Sequence, residues 1–488
     1  MDPADFLKKV ANFRGIYEIF IAGGPVRDWL LRRSVKDVDL VLNKDAIFLA
    51  RKMATVSSGT FVMLDEEFQV ARVVVEGYTF DFSQYRRGAS SIEEDLCHRD
   101  FTINAMAVRL TDILTDLKQT GQGLVFPKEL LPPLLIDPFN GVRDIATGTV
   151  KAISRTNLQR DPLRLLRAFR FSAILGFCID PQTVTWIEEL AKEITRCAPE
   201  RISAELDQIM ASHHAGPTLK NLYSSGLLKV IVPETLIMDG VEQPGFHHLD
   251  VLGHLFETLS SIDLLVKDPC VKFANCKPLK EWIEKNKKKV PWVKWAAFMH
   301  DFGKPVKKGI KEDGRVTFYE HDRAGALMAR DVAKRLRWSK SKQEFVSRLV
   351  RLHMRPFHLL NDLRKSGPTK RAMRRLLENI GQDYPALFLL AMADSMAGCG
   401  PMKPKGLDEE ISLLFDKIHS FYLKSLKPIE GSPPLVRGND VMEILGVGPG
   451  PVVGMALQAV KDAQVEGKIS SKKEALALIR KLFEKNGS

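Results

Sequence analysis

At 488 residues the chain exceeds what one hydrophobic core fills, so three or four domains are expected. Apolar content of 45% and charged content of 27% are ordinary for a soluble protein, and no run approaches the ~18 apolar residues that a membrane helix needs. Lys and Arg exceed Asp and Glu by 72 to 60, and the resulting +12 favours a polyanionic partner.

The start, M-D-P-A-D-F, lacks a charged-then-apolar leader, so the expectation is a cytoplasmic protein with no membrane association. Tyr17 to Ala22 alternates roughly and carries β-formers, which predicts a strand. Gly23-Gly24 then permits a tight turn whose backbone can approach phosphate oxygens. Val26 to Arg33 suits a short helix, with Arg27 near its start as a charged donor to a triphosphate. Asp37-Val38-Asp39-Leu40-Val41-Leu42 reads as a second strand, and residues two apart on a strand share a face. Two carboxylates held side by side are costly unless a cation neutralises them, and hard oxygens on that spacing suit Mg²⁺. The plainer reading is a polar turn before a half-buried edge strand; the glycine pair upstream favours the metal site.

Phe68 to Val75 and Tyr78 to Tyr85 predict two further strands turned at Glu76-Gly77. Asp81, between Phe80 and Phe82, is either a third metal ligand or a solvated hairpin residue. After Asp161-Pro162 the pattern becomes helical and stays so. Lys277 to Lys289 reads as a solvated helix end or loop. Ser425 to Gly438, with three prolines and two glycines, reads as a linker. Asn439 to Phe483 predicts a small helical module. Cys97, Cys178, Cys197, Cys270, Cys276 and Cys399 form no C-x-x-C pair, so reduced thiols are expected in place of a disulfide framework or a cysteine zinc site.

Five stretches carry a resemblance: A-G-G-P-V-R-D with D-V-D; E-D-L-C-H-R-D-F-T-I-N-A-M-A (Glu94 to Ala107); D-P-F-N-G-V-R-D-I (Asp137 to Ile145); R-D-P-L-R-L-L-R-A-F-R-F (Arg160 to Phe171); and a C-terminal HD pattern. Together they make the chain resemble the class II tRNA nucleotidyltransferase and bacterial poly(A) polymerase family. The resemblance implies an α+β protein: a polymerase-β-like nucleotidyltransferase head over residues 1–148, then an all-helical neck with a nucleotide-selecting helix (149–215), an HD-type body (216–424), and a linker with a small helical tail (425–488). It also implies that Asp37 and Asp39 hold catalytic Mg²⁺, which activates an RNA 3′-hydroxyl against the α-phosphate of CTP or ATP and stabilises the departing pyrophosphate. Gly24, Arg27 and Arg99 would contact the triphosphate. Arg99-Asp100 can equally be a cap and salt bridge, and Asn104 and Asp137 can be scaffold.

Asp161 before Pro162 is, on the plain reading, a helix N-cap. Yet Asp161 and Arg164 lie three apart on one face. An acceptor beside a donor matches cytosine and adenine, each of which shows an amino group next to a ring-nitrogen acceptor; uracil and guanine reverse that order. In the resembled family the equivalent pair selects CTP and ATP without a nucleic-acid template. Arg167 and Arg170 drift about 60° per step around a helix, so they are expected in phosphate, primer or packing roles. Arg160 stands where relatives often carry Glu, and the segment from Asp81 to Asp95 is short. These features keep open a CC-only, A-only or poly(A)-adding enzyme beside one that completes C and A addition on tRNA 3′ acceptor ends.

His254, His300-Asp301 and Asp394 follow the H…HD…D order of HD phosphohydrolases, which implies a second divalent metal in the body; His321 and His353 are additional candidate ligands. An HD phosphohydrolase with a nucleotide-binding head, and a noncatalytic RNA-binding protein, are the readings from other classes. Arg364, Lys365, Lys370, Arg371, Arg374 and Arg375, with Lys287-Lys288-Lys289, are the expected RNA-contacting cations.

Overall fold

The structure, a computed structural model, describes residues 1–483 other than 15, 244, 366, 431, 432 and 466. It contains two compact units: Met1–His214 with Thr218–Val232, and Ala215–Pro217 with Pro233–Ser488.

The first unit is organised by a seven-stranded sheet. Its strands are β1 (Ile19–Ala22), β2 (Asp37–Leu42), β3 (Thr60–Asp65), β4 (Val70–Val75), β5 (Tyr78–Gln84), β6 (Ala107–Arg109) and β7 (Leu135–Ile136), in spatial order β3-β4-β5-β2-β1-β6-β7. β1 is apolar throughout and fully buried, as a central strand must be. β2 alternates at its start, so Asp37 is exposed, Val38 buried and Asp39 half-buried. β2 runs antiparallel to β1 and parallel to β5, and that register sets Asp39 opposite Asp81. Phe6, from the helix Pro3–Ala11, stacks on Phe80 at 4.2 Å and closes one face of the sheet.

Helices Arg155–Arg160 and Leu163–Leu175 are broken between Asp161 and Pro162. The residue before a proline is disfavoured in the helical region, and Asp161 is extended (φ −129°, ψ 91°). Pro162, which has no side-chain acceptor, takes the cap position of the second helix. The N-cap reading of Asp161 is therefore corrected: its carboxylate caps nothing. Gly176 ends the second helix in the left-handed conformation (φ 74°).

The second unit is almost wholly helical, apart from a two-residue-per-strand hairpin of Gly309–Ile310 with Val316–Thr317. Its centre is Val251–Lys267, Val290–Met299 and Tyr384–Ala397, all rich in buried apolar side chains. Asp250 caps the first of these by accepting the Gly253 N–H at 2.8 Å. Lys277 to Lys289 is not a loop: Lys277–Lys285 is a helix that buries Leu279 and Trp282 and turns its lysines outward. Helices Gly438–Leu445, Pro451–Val465 and Lys472–Phe483 pack around Val441, Ala456, Val460, Ala475 and Ile479. The expected linker starts inside a helical segment, Tyr422–Leu426, and its residues 431 and 432 lie outside the described residues.

The expectation of six reduced cysteines is also corrected. Cys270 and Cys276 form a disulfide, because a short turn at Pro269–Val271 and the start of the next helix bring their Cα atoms to 5.0 Å. Cys97, Cys178, Cys197 and Cys399 are free. Among the described residues no helix is long and apolar enough to cross a membrane.

Candidate active site

The turn after β1 places Gly23 at φ 84°, a conformation that glycine reaches without strain. A Cβ at Gly23 would meet Arg99 Nη1 at 2.5 Å and lie 3.5 Å from Asp39 Oδ2. The turn and the second carboxylate of D-V-D are thus neighbours. Gly23, not Gly24, is the position that demands glycine; Gly24 is simply the first residue of the helix Gly24–Leu30. Arg27, on that helix, donates to Asn104 Oδ1 at 2.8 Å and to Asp28 Oδ1 at 3.0 Å. Arg99 is buried, pairs with Asp95 Oδ2 at 3.4 Å and donates to the Asn104 carbonyl at 3.4 Å. Burial, with Arg86 nearby, brings the Arg99 guanidinium down to about 10. Asp137 accepts the N–H groups of Gly141 and Val142 and so caps the helix Gly141–Ala146.

Burial pushes the Asp39 carboxyl above its ordinary value; Arg99 offsets part of this, and Asp81 and Asp37 add to it. A carboxylate in this condition gains from a cation. Asp81 is held by Arg72 through two hydrogen bonds, at 2.7 and 2.8 Å. Arg72 carried no motif and was not foreseen; only the β4–β5 register, which pairs it with Asp81, reveals it.

Arg164 points back across the break between the two helices. It donates to the carbonyls of Arg99 (3.1 Å) and His98 (3.0 Å), and its Nε lies 3.9 Å from Asp161 Oδ2. Arg201 Nη2 stands 3.6 Å from Asp161 Oδ1. Arg167 and Arg170 do not join this pair. Arg167 donates to Asp100 Oδ2 at 2.8 Å, and Arg170 pairs with Glu205 at 2.8 Å.

Asp100 is buried and also accepts from Asn104 Nδ2 (3.2 Å) and the Phe101 N–H (2.9 Å). Burial alone would raise its carboxyl, but Arg167 and Arg164 outweigh that and hold it well below the usual range. Its stabilising contribution is therefore present above the ordinary carboxylate pKa and is lost as pH falls through the depressed value. Asp100→Ala is expected to cost roughly 3 kcal/mol in urea unfolding at neutral pH, because it leaves buried donors unpaired. A loss below about 0.5 kcal/mol, within the range of ordinary surface changes, would show that the network is not structural.

In the helical unit, His254, His300 and Asp394 form one group of mutually close ligand atoms, and Asp301, His321 and His353 form another. All six side chains lie in or beside a cavity of about 820 Å³ that Asp301, His321 and Asp394 line. Burial would lower His300, but Asp301 and Asp394 raise it to about 10. Burial, with His300 and His321 adding, takes His353 down to about 3. Lys304 was not singled out from the sequence, although its i,i+3 spacing from Asp301 was a signal; its Nζ reaches Asp301 Oδ2 at 2.6 Å.

The expected RNA-contacting cluster is partly corrected. Arg364 is paired with Glu410, and Arg374 is buried and paired with Asp462 of the tail module. Lys289 is likewise paired, with Asp383 at 2.8 Å. Lys365, Lys370, Arg371 and Arg375 are exposed.

A strand-borne D-V-D beside a glycine turn, on a mixed sheet and followed by helices carrying an HD cluster, defines a polymerase-β-like nucleotidyltransferase head with an HD body. Comparisons agree. Residues 19–151 match the poly A polymerase head domain, 176–238 a probable RNA and SrmB-binding site of polymerase A, 277–395 the HD domain, and 411–479 a tRNA nucleotidyltransferase domain 2. The chain is 30% identical to the A-adding tRNA nucleotidyltransferase of Deinococcus radiodurans, over 95% of each chain. It is 30% identical to the CC-adding tRNA nucleotidyltransferase of Synechocystis, over 95% of this chain and 93% of the relative. The fold is shared with the Thermotoga maritima CCA-adding enzyme complexed with tRNA (TM-score 0.59, 18% identity, 98% of this chain and 95% of that one). It is also shared with a CCA-adding enzyme in complex with CTP (TM-score 0.62, 19% identity, 100% and 97%). The chain belongs to the tRNA nucleotidyltransferase family. Nucleotidyltransferase heads and HD domains are both divalent-metal dependent.

Proposed function

We propose that the chain is a template-independent enzyme that adds C and A to tRNA 3′ ends from CTP and ATP, releasing pyrophosphate. One observation carries this reading: the Asp39 carboxylate stands against the Gly23 turn, where a triphosphate would be cradled. Asp37 and Asp39 hold Mg²⁺, which when bound lowers the pKa of the attacking 3′-hydroxyl and neutralises charge on the leaving pyrophosphate. Gly24, Arg27 and Arg99 face the phosphates, with Arg27 fixed by Asn104. Arg164, its fork held by two backbone carbonyls, donates to the base's ring nitrogen while Asp161 accepts from the amino group. Arg167 and Arg170 act indirectly, by fixing Asp100 and Glu205. Lys365, Arg371 and Arg375 supply a salt-dependent grip on RNA phosphates.

A narrower specificity is the second reading. The relatives matched along nearly their whole length are A-adding or CC-adding enzymes, whereas a multifunctional CCA protein of Actinobacillus pleuropneumoniae is matched over 69% of this chain. Incubating the protein with tRNA ending at the discriminator base, with CTP and ATP separately and together, and sequencing the products distinguishes the cases. Addition restricted to C and A and stopping after the acceptor end is complete supports the leading reading. Growth by C alone or A alone assigns a specialist, and long A tails on unrelated RNA defeat both.

The raised Asp39 carboxyl gives a stability test. A folded pKa above the unfolded one means that, without metal, its favourable contribution is full at low pH and is lost as pH rises through the folded value. Mg²⁺ is therefore expected to raise the melting temperature more at about pH 8 than at about pH 5. Asp39→Asn is expected to raise the melting temperature in EDTA and to remove the difference between the Mg²⁺ increments at the two pH values. An equal Mg²⁺ increment at both pH values would place the ion elsewhere.

A further inference from the structure

The helix Gly24–Leu30 ends in a closure that favours glycine, and an arginine stands there. The N–H groups of Arg32 and Arg33 donate back to the carbonyls of Trp29 (2.9 Å) and Asp28 (2.7 Å), the Schellman arrangement. Its left-handed residue is Arg32, at φ 58°. A side chain is strained in that conformation, and strain of this kind concentrates at active sites and ligand clamps.

Two further segments bring cations to the same place. The hairpin of Lys118–Thr120 with Gly123–Val125 docks on the chain just after the helix. Val35 and Leu124 exchange backbone hydrogen bonds at 2.8 Å each, and Trp29 Nε1 donates to the Leu124 carbonyl at 3.2 Å. The short turn Lys128–Leu130 follows. Between these pieces lies a cavity of about 310 Å³, walled by Arg32, Arg33, Lys118 and Lys128, with Phe126 and Pro127 as apolar lining. Glu129, 2.9 Å from Arg32, is the only acid among the described residues that line it. Arg33, Lys118 and Lys128 are exposed, and among the described residues none of the three has an acidic partner. Arginine near a helix C-terminus complements the helix dipole, but that role asks neither for a left-handed arginine nor for lysines from two other segments. Four cations around one carboxylate favour a polyanion.

Position decides which polyanion. Arg33 precedes Asp37 by four residues, so chain reach keeps their Cα atoms within about 14 Å. The seven-residue helix, about 10 Å long, separates the cavity from the Gly23 turn at its other end. A triphosphate cradled at Gly23 is therefore engaged elsewhere. An RNA strand whose 3′-hydroxyl lies at Asp37 and Asp39 carries further phosphates behind that end, within reach of the cavity. We propose that Arg32, Arg33, Lys118 and Lys128 form a phosphate-binding subsite for the RNA strand behind its growing 3′ end. This subsite rests on the reading of Asp37 and Asp39 as the nucleotide-adding site. It gives the head a hold on RNA of its own, apart from the exposed cations of the helical unit.

Arg32→Gly in the full chain separates this role from a structural one, because the two predict opposite results. Glycine relieves the left-handed arginine, so the melting temperature is expected to hold or rise. The same variant is expected to weaken binding of tRNA ending at the discriminator base about fivefold near 0.1 M salt, and to reduce the slope of log affinity against log salt by about 1. The triple variant Arg33→Gln/Lys118→Gln/Lys128→Gln, confined to exposed side chains, is expected to weaken binding at least about 30-fold and to reduce that slope by about 2 to 3. In nucleotide incorporation, KM for tRNA should rise in both variants and KM for CTP and ATP should not. Unchanged tRNA affinity and salt slope in both variants would overturn the proposal, and normal incorporation alongside would leave the nucleotide-adding reading in place. A raised KM for CTP or ATP with unchanged tRNA binding would assign the cavity to the nucleotide and overturn the RNA assignment. An unaltered chain that incorporates no nucleotide would remove the underlying reading, and this subsite with it.

Discussion

Asp39→Ala is expected to reduce pyrophosphate release from CTP and ATP by at least about 10³-fold while leaving tRNA binding within a few-fold. The loss is large because, in the proposed function, Asp39 holds a cation at a place where burial, with Asp81 and Asp37 adding, already disfavours its charge. A metal that stabilises transition-state charge supplies several kcal/mol, and each ~1.4 kcal/mol is tenfold in rate. Asp37→Ala should behave alike, although Asp37 is more exposed. Asp301→Ala provides the contrast: it lies in the other unit and should leave nucleotide addition intact. If the chain incorporated no nucleotide, and phosphate-ester hydrolysis survived Asp39→Ala while Asp301→Ala abolished it, the protein would be an HD phosphohydrolase with a nucleotide-binding head. Tritiated or radiolabelled nucleotide incorporation into tRNA reads both variants in one assay.

The second large effect concerns base choice. Asp161→Ala is expected to cost CTP and ATP about 10- to 100-fold in kcat/KM and to narrow their advantage over UTP and GTP by a similar factor. The size follows from removing one well-placed hydrogen bond to a base edge, worth ~1–3 kcal/mol of discrimination. Arg164→Lys should act similarly, since an ammonium cannot both hold the carbonyls of His98 and Arg99 and present a donor to the base. Arg167→Lys should instead lower stability with selectivity unchanged, because Arg167 faces Asp100. Competition assays with mixed nucleoside triphosphates measure this. Unchanged selectivity in Asp161→Ala would remove the pair from base recognition.

What the sequence disclosed, and what it concealed, divides along physical lines. The β2 strand was legible to the residue, because Asp37 to Leu42 alternates at its start and then runs apolar. The helical second half was legible from its periodicity. The cap that the local motif offered as the plain alternative for Asp161 does not form, because the restriction that Pro162 imposes on its predecessor wins. Lys277 to Lys289 left a helix end and a loop both open because its lysines dominate a count, whereas only two large apolar residues, Leu279 and Trp282, anchor the helix. The Cys270–Cys276 bridge escaped notice because its spacing matches no redox or metal motif; only the turn between them brings the pair together. Partnerships between distant residues were unreadable in principle: Arg72 with Asp81, Arg167 with Asp100, Arg170 with Glu205, and Arg374 with Asp462 all depend on tertiary packing. His321 and His353 were named as additional candidate ligands, but their convergence on Asp301 also depends on tertiary packing.

The measurement that bears most directly on the head site is a crystal of the full chain grown with CTP and Mn²⁺ and diffracted at the manganese edge. An anomalous peak between the carboxylates of Asp37 and Asp39, with the triphosphate lying along the turn from Gly23 to Arg27, is the predicted result. A triphosphate bound elsewhere, or manganese found only at the histidine cluster of the other unit, would contradict it.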